Sequence, residues 1–177
     1  MLRRSVVVAI VACGGSALLG NTGCTRTFAA VNPRPSVVID PQMGALSLEL
    51  GQIPDTQTPG DAGLTITNFR TSLANGFRNM AGANYSAQAK EAKLVLHIEQ
   101  AELGRGNIGS LGAFLTIRYR ALWSDSAGNK VAAMAGVAQP RNPTETGPRH
   151  IEDVIEVMYE EMVAGLEKVQ GVKTRTD

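Results

Sequence analysis

Aromatic residues are scarce in this 177-residue chain: four Phe, three Tyr and one Trp, or 5% of the whole. That leaves little material for the stacked-base platforms of single-strand nucleic-acid binders. A charge excess is missing too. Lys and Arg number 17 against 16 Asp and Glu, a net charge of +1. Bulk attraction to phosphate backbones is therefore excluded as a main binding mode, and no nucleic-acid partner is expected. Two cysteines, Cys13 and Cys24, are too few for a disulfide-rich scaffold. What the chain does have is 44% hydrophobic residues in a length suited to one domain, enough for a core.

The first 23 residues have the layout of an export signal. Arg3 and Arg4 form a positive start, and an apolar run begins with Val6-Val7-Val8-Ala9-Ile10-Val11-Ala12. From Val6 to Leu19 is 14 residues, short of the roughly 20 that a membrane-spanning helix needs. Gly14, Gly15 and Gly20 also argue against an ordinary core helix. Small residues then lead to Thr22-Gly23-Cys24.

Gly23-Cys24 resembles the lipobox of bacterial lipoproteins, in which a small residue precedes a diacylated Cys. Asn21 stands where that family prefers Leu, Val or Ile. Ile10-Val11-Ala12-Cys13 is the better box in form, but it leaves an apolar stretch of only about six residues, below the usual range. The resemblance implies that Cys24 becomes the first residue of the mature chain and carries the lipid. Two or more acyl chains hold a protein stably to a membrane. Thr25, a non-Asp residue after the Cys, implies by the same resemblance the outer membrane, facing the periplasm. Loss of residues 1–23 removes two Arg and no acid, leaving 15 basic and 16 acidic residues.

Residues 24–35 carry Pro33 and Pro35 and no periodicity, and read as a tether. A single domain is expected over 36–170, with 171–177 as a tail. Ser36–Asp40 and Ala45–Leu50 read as strands, the second with Leu46, Leu48 and Leu50 on one face. Ile66, Phe69, Leu73, Phe77 and Met80 form one helical stripe, with Gly82 as the stop. Strands are expected over 93–103, 113–123 and 130–139, with a turn at Asp125-Ser126-Ala127-Gly128-Asn129. A last helix follows from about His150 to Val169. The expected fold is α+β in the order β-β-α-β-β-β-α, a mainly antiparallel sheet with two amphipathic helices on one face.

Several motifs invite chemistry and lack its context. Gly104-Arg105-Gly106-Asn107-Ile108-Gly109 spells G-x-G-x-x-G, yet Ser110-Leu111-Gly112 lead into a strand pattern where a dinucleotide site needs a helix. His97 and His150 belong to no metal signature and read as partly exposed structural residues. Glu152, Glu156 and Glu160 are the outward face of a helix, and Met158 and Met162 belong to its core stripe. No G-x-S-x-G is present, and acylation of Cys24 leaves no Cys/His nucleophile pair. No catalytic residue, metal ligand or cofactor is assigned, and an enzyme is not expected. Arg118 and Arg120 share a strand face with Thr116 and are the candidate anion-binding pair, since guanidinium meets phosphate or carboxylate bidentately. The plainer alternative is that they are solvated or paired with Glu99.

Ala-Lys-Leu-Val-Leu-His-Ile (92–98), Leu-Thr-Ile-Arg-Tyr-Arg-Ala-Leu-Trp-Ser-Asp (115–125) and Gly128-Asn129-Lys130 follow one another as in small Gram-negative envelope lipoproteins. The chain resembles the YajG-like and lipopolysaccharide-assembly (LptE-like) groups over roughly 36–170. That resemblance implies a non-enzymatic accessory docked on an envelope protein complex or its lipid cargo. A periplasmic ligand or glycolipid module using the Arg118/Arg120 face is the alternative, with anionic lipid as its candidate partner.

Overall fold

A computed structural model of the chain describes residues 26–29, 37–38, 43–60, 64–107, 113–143, 148–170 and 175–176. In chain order the elements are β1 (Arg26–Ala29), β2 (Val37–Val38), β3 (Leu46–Leu50), β4 (Leu64–Thr67), α1 (Phe69–Ala81), β5 (Leu94–Asn107), β6 (Ala113–Asp125), β7 (Lys130–Ala138), α2 (Pro148–Gln170) and β8 (Arg175–Thr176). The expected signal segment and Cys24 lie outside the described residues.

The main sheet has the order β3-β5-β6-β7. The β5–β6 and β6–β7 pairs are antiparallel, as short connections require, with Asp125–Asn129 turning the second hairpin. Asp125 is the centre of that turn. Its carboxylate accepts the backbone N–H groups of Ala127 and Asn129 and the Asn129 side-chain amide, and Gly128 takes the positive φ. Those hydrogen bonds hold the Asp125 carboxyl below its usual range.

The β3–β5 pair corrects the mainly antiparallel expectation: it is parallel, from Leu46↔Leu94 to Leu50↔Ile98, and the sheet is mixed. The reason is the crossover. α1 lies between the two strands in the chain and carries it back to the starting end. The element order also differs. Ile66 belongs to β4, its spacing of three from Phe69 having mimicked a helical stripe. β1, in the expected tether, runs parallel to β4, while β2 pairs with β8, in the expected tail.

α1 begins at Phe69 because Asp55 caps it from the preceding loop. The Asp55 carbonyl accepts the Phe69 N–H, and its carboxylate accepts the Thr71 N–H at 3.1 Å. Gly82 ends the helix at φ +54, its N–H donating to the Arg78 carbonyl. α1 and α2 pack on one face of the sheet, as expected. Phe69, Leu73, Phe77 and Met80 meet Ile151, Val154, Ile155, Met158 and Met162 over Leu96, Ile98, Ile117 and Trp123, all buried. Phe77 sits centrally, its ring 5.7 Å from Tyr159 and 6.2 Å from Trp123. Polar atoms within this core are matched: Trp123 Nε1 donates to the Met162 carbonyl and the Tyr159 hydroxyl to the Leu73 carbonyl.

Candidate functional site

The sheet's second face is the surface on which the sequence placed its candidate pair. Alternation puts Leu115, Ile117, Tyr119, Ala121 and Trp123 of β6 toward the helices, so Thr116, Arg118, Arg120, Leu122 and Ser124 point the other way. On β5 a bulge between Ile98 and Gln100 absorbs Glu99, which returns Ala101 and Leu103 to the helix side. Two adjacent polar residues between apolar Ile98 and Ala101 are the sequence signal of that bulge. Across this second face the register aligns Arg118 with Glu102 on β5 and Val137 on β7, and Arg120 with Gln100 and Ala135.

Arg118 and Arg120 are both exposed, and neither has an ion pair among the described residues. Of the plainer alternative, solvated or paired with Glu99, the structure shows the first: both side chains are exposed, and neither pairs with Glu99 among the described residues. Glu102, opposite Arg118, instead accepts the Gln100 side-chain amide at 2.9 Å. Each arginine lines an open depression. One of about 360 Å³ lies among Glu99, Arg120, Leu122, Lys130, Ala133 and Ala135. The other, about 370 Å³, includes Glu102, Gly104, Thr116, Arg118, Val137 and Gln139. Gly104 keeps the second one open, since a Cβ there would lie 2.8 Å from Thr116 Oγ1.

A second constellation on this face escaped the sequence reading. Glu49 of β3, His97 of β5 and Ser124 of β6 form a chain across three strands: Glu49 Oε2 to His97 Nδ1 is 2.9 Å, and His97 Nε2 to Ser124 Oγ is 2.7 Å. Its members lie far apart in sequence and meet only through the register, Glu49 directly beside His97. The order carboxylate–imidazole–hydroxyl is that of an activated serine. Two observations favour a cross-strand clamp. Ser124 is buried at 4% exposure, and neither of the two depressions described above borders it. A nucleophile needs room for the reacting atom and donors for the developing oxyanion.

The remaining candidates have structural roles. Gly104–Asn107 closes β5 and the next described element is the strand β6, so among the described residues this part of the G-x-G-x-x-G run meets no helix N-terminus; residues 108–109 lie outside them. His150, expected to be partly exposed, is buried, and its Nε2 accepts the Leu115 N–H at 2.9 Å. The acidic face of α2 is not simply solvated: Asp153, Glu156 and Glu160 converge on the Arg141 guanidinium. Burial pushes the Glu156 carboxyl up, partly offset by Arg141. Met158 and Met162 are core, as read. Among the described residues no group of three His, Cys, Asp or Glu side chains is placed to hold a metal, and no helix is long and apolar enough to cross a membrane.

No family model and no curated protein matches this chain. Among solved structures it is similar to a Xanthomonas campestris protein of the DUF330 family, with 16% identity and a TM-score of 0.43, over 82% of this chain and 96% of that one. It is also similar to a minor lipoprotein of Acinetobacter baumannii, with 17% identity and a TM-score of 0.41, over 73% of this chain and 95% of that one. At those scores the likeness fixes neither a shared fold nor a shared role.

Proposed function

We propose that this protein is a lipid-anchored, non-enzymatic accessory of the bacterial cell envelope. It is held at the outer membrane through Cys24, faces the periplasm, and docks on a membrane-associated protein complex or its lipid cargo. The export layout of residues 1–23 and the Gly23-Cys24 box support the anchor, and the resemblance to YajG-like and LptE-like lipoproteins supports the role. The observation that carries docking is the outer edge of β7, to which no strand is paired among the described residues, with Ala133, Ala135 and Val137 exposed beside it. A sheet edge of this kind accepts a further strand, and an exposed apolar patch at a sheet rim is a contact surface.

Intact-mass analysis of membrane-extracted protein tests the anchor. Wild type should begin at an acylated Cys24, and Cys24→Ala should lose the lipid and leave the membrane fraction. An unacylated mature chain, or one beginning elsewhere, refutes it. The second reading, an anionic glycolipid on the Arg118/Arg120 face, draws on two guanidiniums that have no ion pair among the described residues and line open depressions. Arg118→Glu/Arg120→Glu should then abolish binding to vesicles containing anionic glycolipid, and unchanged binding rejects that reading.

A further inference from the structure

The docking reading leaves the chemistry of the partner open, and the edge of the sheet narrows it. We propose that β7 accepts an extended segment of the partner protein as a fifth strand, and that this segment carries acidic residues at alternate positions facing Arg118 and Arg120. The proposal rests on the docking reading above.

β7 is nine residues long and ends the sheet; among the described residues only β6 is hydrogen-bonded to it. Edge strands are ordinarily guarded by charges, proline or bulges. Here the guards stop early. Lys130 is the strand's one charge, and the register shift that sets Val131 aside also lies at its start. Residues 132–138, Ala-Ala-Met-Ala-Gly-Val-Ala, run on with neither charge nor proline. Val137 is 47% exposed, unusual for a large apolar side chain in this protein.

Charge then selects the occupant. Rows of side chains cross the second face: acids on β5 (Glu99 and Glu102), cations on β6 (Arg118 and Arg120), and short neutral groups on β7 (Ala133, Ala135 and Val137). A strand added beyond β7 would lie about 10 Å from β6, two strand spacings away. Ala135, aligned with Arg120, forms too low a ridge to block a long guanidinium arm from reaching over β7. Carboxylates on the added strand therefore give both arginines the ion partners that they lack among the described residues. On the helix side, half-buried Met134 offers apolar surface to the residues between those acids. A second copy pairing through β7 fits poorly, because it would present Ala, Ala and Val to the arginines and leave their charge unanswered.

The test uses the mature lipidated chain in detergent micelles and a ten-residue N-acetylated, C-amidated peptide of alternating Glu and Val. Hydrogen exchange followed by mass spectrometry should slow over 130–138 when the peptide binds. Replacing Glu by Lys, or a central Val by Pro, should remove the protection. Arg118→Glu/Arg120→Glu should weaken binding about tenfold and favour the Lys peptide, as expected for two surface ion pairs turned repulsive. Arg118→Gln/Arg120→Gln, which adds no repulsion, should fall between. Binding that is indifferent to charge, or that leaves 130–138 unprotected, overturns the proposal. In cells, a photo-crosslinking residue at Val137 separates the two readings. A protein adduct that disappears in the Arg→Glu pair supports the acidic strand. One that persists leaves docking standing and removes the acidic strand, a doubled mass indicates a second copy and overturns it, and no adduct at all removes docking itself.

Discussion

Gln57 guards the other side of the sheet. β3 pairs with β5 only as far as Ile98, where the Gly51 N–H donates to the Ile98 carbonyl at 2.9 Å, an approach so close that a Cβ on Gly51 would lie 2.7 Å from the Glu99 carbonyl. Beyond that point the Gln57 side chain stands in for a strand: its Nε2 donates to the Ala101 carbonyl at 3.0 Å, and its Oε1 accepts the Leu103 N–H at 2.8 Å. Two backbone bonds to Ile66 hold it in place. Gln57→Ala should therefore strip two hydrogen bonds from β5, each contributing about 0.5–1.5 kcal/mol net. Water can reach this half-buried edge in part, so the loss should be about 1–2 kcal/mol. For a protein of this size that corresponds to a fall in Tm of about 2–8 °C. Thermal unfolding gives the magnitude, and exchange of the Leu103 amide gives the location. Gln57→Glu separates the two bonds. At neutral pH the carboxylate can still accept from Leu103 but repels the Ala101 carbonyl; below its ordinary pKa of about 4.3 the protonated acid can donate again. The penalty should thus shrink relative to wild type as pH falls through that value. A Tm within about 1 °C of wild type, with unchanged Leu103 exchange, would refute the strand-mimic account.

The Glu49–His97–Ser124 chain should behave as a clamp: Ser124→Ala and His97→Gln should each cost about 0.5–1.5 kcal/mol and be non-additive in a double-mutant cycle, while a fluorophosphonate probe should not label Ser124. Labelling that depends on both residues would convert the clamp into a nucleophile. Tyr119 donates to Glu161 at 2.7 Å, and burial, then that carboxylate, raises its pKa; burial alone raises that of Tyr159. A raised folded pKa gives stability that is complete below the unfolded value, about 10, and is lost as pH climbs above it. Tm should accordingly drop above about pH 10, less steeply in Tyr119→Phe, and a flat profile would contradict this. Gly136→Ala should destabilise by about 1–3 kcal/mol in urea unfolding. Its Cβ would lie 2.8 Å from the Tyr119 hydroxyl, and the displaced ring would lose Glu161, outweighing the usual entropic gain of about 0.4–1 kcal/mol; a stabilised variant would show that the ring moves freely.

What was legible in the sequence follows from local geometry. Period-two alternation identified β3, β5 and β6, because a pleated backbone sends successive side chains to opposite faces, and β7 was expected as the segment after the Asp125–Asn129 turn. The same rule separated Arg118 and Arg120 from Ile117 and Tyr119 before any contact was known. The 3.6-residue stripe identified α2 and most of α1, and the Asp125–Asn129 turn declared itself through residues that bond their own backbone. The export layout is likewise a property of order and composition alone.

Where one segment chooses another, local pattern is silent. Alternation in β3 is the same whether its neighbour runs parallel or antiparallel, so the mixed sheet was decided by the α1 crossover. Ile66 fitted a helical stripe until pairing with β1 and a bridge to Gln57 made it a strand residue. Glu49, His97 and Ser124 look unrelated along the chain, as do Arg141 and its three carboxylates; register and packing alone bring them within hydrogen-bond reach. The open edge of β7 has the same origin. An edge is a statement about which strand is absent beside it, so the turn at Asp125–Asn129 could announce a strand after it but only the order of the sheet could make it the last one among the described residues.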